Sequence, residues 1–167
     1  MFNKHRPRFA RKQTTFETIC NVIGYGVFGL AFLYLIISYF NMPDRIPTHM
    51  NDFGQVEQTG PKYMALTLPL VIIPLIAMLQ FLEKNPHLHN YPPHFNDDNA
   101  ERMYRHSSQL FNYVKNLILL LFAHIMYRFT IIALGGKNEL YEPVVIVLIS
   151  LIFTTIIFKI VRIHKTR

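Results

Sequence analysis

Cysteine is all but missing, with Cys20 the only one in the chain. No intrachain disulfide can form, and no thiolate metal cluster can be built. Charge is scarce too, at 16% of 167 residues, while 51% are apolar and the mean hydropathy is +0.20. A chain of that balance does not make an ordinary soluble domain. Catalytic signatures are equally thin. There is no zincin helix, no nucleophile elbow and no pair of carboxylates inside an apolar run, so an enzyme is not expected. Internal repeats and low-complexity tracts are missing as well, which leaves a single membrane module over 1–167.

What is present is a set of long apolar stretches. A hydrocarbon core of about 30 Å takes roughly 20 apolar residues as helix. Stretches of that kind lie at about 19–40, 63–82, 113–134 and 143–161. The expected fold class is therefore an all-α membrane protein, a bundle of four transmembrane helices. The first stretch is too long for a signal-peptide core and no small-residue cleavage site follows it, so it is expected to stay.

Lysine and arginine near the span ends set the orientation. The N-terminal tail carries Lys4, Arg6, Arg8, Arg11 and Lys12, and the C-terminal end carries Lys159, Arg162, Lys165 and Arg167. The middle loop, 83–109, adds Lys84, Arg102 and Arg105, whereas the other two loops hold only Arg45, Lys62 and Lys137. Both termini and the middle loop are expected on the cytoplasmic side of the cell membrane, with the loop 41–62 outside. The net charge of +7 is thus mainly topological. These basic residues lie near the membrane and carry no base-stacking module, which points to the lipid bilayer as partner and not to nucleic acid.

Several local patterns have structural readings. Pro69 and Pro74 remove backbone donors and kink the second span. Pro143 sits where a helix begins. The second half of the middle loop reads as a short interfacial amphipathic helix, with Asp97 and Asp98 near its start, capping-box spacing from Asp98 to Glu101, and a Glu101–Arg105 pair. Gly24, Gly26 and Gly29 match a dinucleotide-loop spacing but lie inside an apolar helix, where close helix approach, including a homodimer, explains them and no cofactor is expected. His87, His89 and His94 lack an acidic or thiolate partner to complete a metal site, so they read as solvated loop residues. Lys115 near the end of the third span is expected to snorkel. His124 and Arg128, four apart on one helical face and deeper in the same span, are the intramembrane polar candidates. Asn21, Tyr25 and Ser38 of the first span are their candidate neighbours.

The most informative segment is the polar, turn-rich MPDRIPTHMNDFGQVEQTGPK between the first two spans, followed at once by YMALTLPLVIIPL. Its proline, histidine, asparagine and glycine positions suit a shaped recognition loop. It resembles the short membrane module called domain of unknown function 1648 (DUF1648), in which Leu/Met-Pro-x-x-Ile-Pro-x-His-x-Asn-x-x-Gly follows the first span. Pro43, Ile46, Pro47, His49, Asn51 and Gly54 match that pattern, and the likeness runs over about 40–104.

That module also opens SdpI-like immunity proteins. The resemblance implies protection against a secreted membrane-active peptide toxin, or its sensing with a signal passed to a cytoplasmic regulator. The candidate recognition residues are then Pro43, Asp44, Ile46, Pro47, His49, Asn51 and Gly54. The alternative is a small transporter, or an accessory subunit of a membrane complex, working through the polar residues of the third span.

Overall fold

The computed structural model describes residue 6 and residues 12–51, 55–136 and 143–166. Four long helices carry the fold: α1 (Thr15–Tyr39), α2 (Thr67–Lys84), α3 (Asp97–Ala133) and α4 (Pro143–Lys165). All four helical segments are long and apolar enough to cross a membrane. Their outward positions are large and apolar, among them Val22, Leu30, Leu70, Val71, Ile146 and Phe153. Those side chains face lipid in a bilayer, where burying them inside the protein brings no advantage.

The first helix starts on a capping box. Thr14 Oγ1 accepts from the Glu17 amide at 3.3 Å, and the Glu17 carboxylate accepts from the Thr14 amide at 2.9 Å. Thr14-x-x-Glu17 is a readable start signal. α2 is entered through a short 3-10 turn, Lys62–Leu66, so Pro69 falls in its first turn, where amides have no intrahelical partner, and Pro74 alone interrupts the interior. α4 opens on Pro143 as expected.

α3 departs from expectation. The separate interfacial helix does not exist, because the chain from Asp97 runs unbroken into the third span through Ala133. No glycine or proline lies between those ends, so nothing stops propagation. At 37 residues the helix is about 55 Å long, more than a bilayer core needs. Its cap is Asn96 with Asn99, not Asp98 with Glu101; Asn99 N donates to Asn96 Oδ1 at 3.1 Å. Glu101 and Arg105 do pair, at 3.4 Å. The helix ends in a left-handed Gly135 (φ 87°), with Gly136 N donating to Ile131 O and Gly135 N to Ile132 O, both at 2.9 Å. This is the 6→1, 5→2 pattern that satisfies terminal carbonyls, and only glycine takes that φ freely.

The fold is mainly helical, as expected, with one addition. The chain between α1 and α2 forms an antiparallel hairpin of β1 (Arg45–Met50) and β2 (Val56–Pro61), with Ile46 opposite Gly60 and irregular register on either side of His49. Asn51 shapes its turn: Gln55 N donates to Asn51 Oδ1 at 2.9 Å and Asn51 N to Gln55 O at 3.0 Å. α3 is the central element and packs against α1, α2 and α4. An apolar cluster under the hairpin joins Leu35, Met42, Ile46, Ala65, Ala123 and Met126, and a second, between α2 and α3, joins Ile72, Ile76, Leu79 and Leu119.

Candidate functional site

The hairpin divides the sequence-derived recognition residues into two groups. Ile46 is fully buried and plugs the apolar cluster, and Asn51 is spent on the turn. Gly60 is packed so closely that a Cβ there would meet Met64 Sδ and the Thr48 side chain. Pro43, Asp44 and His49 are exposed, and Pro47 is half-buried. His49 Nε2 lies 3.5 Å from Glu57 Oε2, and Asp44 Oδ1 lies 3.5 Å from Lys62 Nζ. The lateral edge is tied by Arg45, whose Nη2 donates to Thr59 O at 2.9 Å. Val56, Glu57, Gln58 and Thr59 of β2 are all exposed. Gly54 lies outside the described residues.

His124 and Arg128 are half-buried on α3, and neither stands free. Two of the first-span residues expected near them are engaged elsewhere: Asn21 bonds Asn112 and Asn116, and Tyr25 bonds Gln80, while Ser38 is buried on α1. The main polar assembly among the described residues sits about 12 Å or more away along the α3 axis.

At its centre Lys115 Nζ lies 2.6 Å from Glu83 Oε2, with side-chain exposures of 0% and 2%. Lys115 is therefore buried in an ion pair and does not snorkel. The same ammonium donates to Gln80 Oε1, which also accepts from Tyr25 Oη at 3.0 Å, and it lies 5.2 Å from the Tyr25 ring centroid. Glu83 Oε1 accepts from Gln13 Nε2 at 2.7 Å and Asn112 Nδ2 at 2.9 Å. Asn21 Oδ1 accepts from Asn112 at 3.0 Å and Asn116 at 2.9 Å. Gly24 makes room here, since a Cβ would collide with Asn116 Oδ1. Burying two charges costs several kcal/mol each unless their remaining donors and acceptors are satisfied, and this shell of amides satisfies them. Sequence reading missed the pair because 32 residues separate its members.

The middle loop docks beside this assembly. His89 is buried, not solvated: its Nε2 bonds Leu82 O at 2.9 Å and its Nδ1 bonds Ser107 Oγ at 3.0 Å. A carbonyl only accepts, so Nε2 carries the proton and Ser107 donates to Nδ1. Burial pushes the His89 pKa below the ordinary histidine value, against the opposing pull of its bond to Leu82. With the Ser107 proton on His89 Nδ1, Tyr91 Oη donates to Ser107 Oγ at 2.6 Å and shares that proton with Pro86 O at 2.9 Å, and burial raises its pKa. Arg6 lies 5.5 Å from the Tyr91 and Phe95 ring centroids and donates to His87 O and His89 O, which fastens Arg6 to the loop.

The family model for Domain of unknown function (DUF1648) matches residues 26–73. The DUF1648 resemblance therefore holds for this segment. It begins earlier than the sequence likeness and stops before the 74–104 part of it. It takes in the second half of α1, the hairpin and the first turns of α2, hence Leu35, Met42, Ile46 and Ala65 of the apolar cluster. Glu83 and Lys115 lie outside it. Comparison with curated proteins and with solved structures finds no match. The DUF1648 segment and four bilayer-length apolar helices fit a multi-pass integral membrane protein.

Proposed function

We propose that this chain is an SdpI-like immunity or sensing protein of the cell membrane, non-catalytic, which recognises a membrane-active peptide through its hairpin. Both termini face the cytoplasm and the hairpin faces outside, following the basic residues at the other end. The observation that carries the reading is the division of labour in the hairpin. Ile46 seats it on the bundle and Asn51 fixes its turn, while His49, Glu57 and the other exposed side chains of β2 remain open. A two-stranded sheet also leaves strand edges on which an extended peptide can add as a further strand. Recognition is passed inward through α3, whose N-terminal turns project past the membrane toward a cytoplasmic regulator.

The test is survival of cells lacking the protein under a panel of secreted membrane-active peptides. The native chain is expected to rescue, and a His49→Ala, Glu57→Ala chain at equal membrane abundance is expected to rescue less. Equal survival with and without the native chain would remove the immunity reading. The transport alternative gains one observation, the polar residues Asn112, Lys115 and Asn116 on α3. Their mutual bonds favour a fixed lock over a path, and solute flux abolished by Arg128→Gln with hairpin variants unaffected would reverse that preference.

A further inference from the structure

A groove of about 310 Å³ runs between α1 and α4 over the surface of α3. Phe16, Cys20, Ile23, Leu117, Leu151 and Thr155 line it, and Tyr113 closes one end. Along α4 the stripe Leu151, Thr155, Lys159, Arg162 steps by four, four and three residues, so one helix face passes from apolar to cationic. The facing stripe on α3 passes from apolar to polar through Leu120, Asn116, Tyr113, Gln109 and His106.

The two stripes meet at the Tyr113 end. Lys159 Nζ lies 4.9 Å from the Tyr113 ring centroid and donates to Gln109 Oε1 at 2.7 Å. The charges of Lys159, Arg162 and Arg105 all bear on the His106 ring. His106 Nδ1 is buried and has no hydrogen-bond partner among the described residues. A lipid-depth apolar slot thus leads, at its Tyr113 end, to the clustered cations Lys159 and Arg162.

We infer that this groove binds one anionic phospholipid, with an acyl chain along the slot and the phosphate at Lys159 and Arg162. The bilayer delivers such a molecule laterally, at the depth where the helix face changes character. Charge complementarity selects its headgroup. The site uses neither the hairpin nor the Glu83–Lys115 pair, so it stands or falls apart from peptide recognition.

The experiment is native mass spectrometry of the full chain after exchange with vesicles of equal phosphatidylglycerol and phosphatidylcholine. The native chain is expected to retain phosphatidylglycerol about tenfold more than phosphatidylcholine. Arg162→Gln, at an exposed position that does not threaten folding, should cut that preference about threefold or more. Thr155→Trp, which fills the slot, should reduce retention of both lipids. Equal retention of the two lipids by the native chain would overturn the assignment, as would a preference unchanged by Arg162→Gln. Displacement of the bound lipid by millimolar inorganic phosphate would overturn it too, by assigning the cations to a free anion.

Discussion

The two ends of the bundle are held by different physics. At the hairpin end, α1, α3 and β1 meet through apolar side chains, with Ile46 and Leu35 fully buried. At the other end α1, α2 and α3 meet through a buried ion pair and its amides. Apolar contact is forgiving and accepts related side chains. A buried charge pair accepts one arrangement and penalises every misfit. The comparison teaches why a displayed hairpin and a fixed helical frame coexist: the first sits on a replaceable cushion, the second on a lock.

The largest break in this contrast is Lys115→Met. It strands the Glu83 carboxylate in the interior and should cost about 3–5 kcal/mol, read as a large fall in thermal midpoint in bicelles. Ile46→Ala should cost less, about 2 kcal/mol, through the cavity it leaves. It should also loosen the hairpin, so hydrogen exchange in β1 and β2 should rise while exchange around Asn112 stays slow. Uniform acceleration through the bundle would count against separate anchoring.

The charge dependence of the two ends should differ as well. His89 has a folded pKa below its unfolded value of about 6.5. The unfolded chain therefore binds the extra proton first, so this contribution is complete above about pH 6.5 and falls away as the pH drops toward the folded pKa. Acidification from about pH 7.5 to about pH 5.5 should lower the thermal midpoint more in the native chain than in His89→Gln. Identical acid sensitivity of the two would remove His89 from the account.

Much of the frame was legible in the sequence because length and apolarity suffice to mark a spanning helix. The Pro143 start and the Glu101–Arg105 pair came through for the same reason, being local. The hairpin was hidden because Pro43, Pro47 and the irregular register at His49 break the alternation by which a strand is read. The polar turns of α3 masked its continuity, although the lack of any breaker after Asp97 signalled it. Thr14-x-x-Glu17 is a cap legible from the sequence alone. Glu83 and Lys115 had no such signal, since a buried pair declares itself only when the chain has brought the two together. For the recognition segment, spacing showed which residues form the motif, and folding alone separated Ile46, which builds, from His49, which is displayed.

The most direct measurement is a double-mutant cycle on the lock, comparing thermal unfolding of Lys115→Met, Glu83→Leu and the two combined in bicelles. The account predicts that the combined variant loses less than the sum of the single losses, with a coupling of at least about 1 kcal/mol, because removing both charges leaves none stranded. Losses that simply add would show that the pair does not act as a unit, and the contrast between the two ends would be wrong.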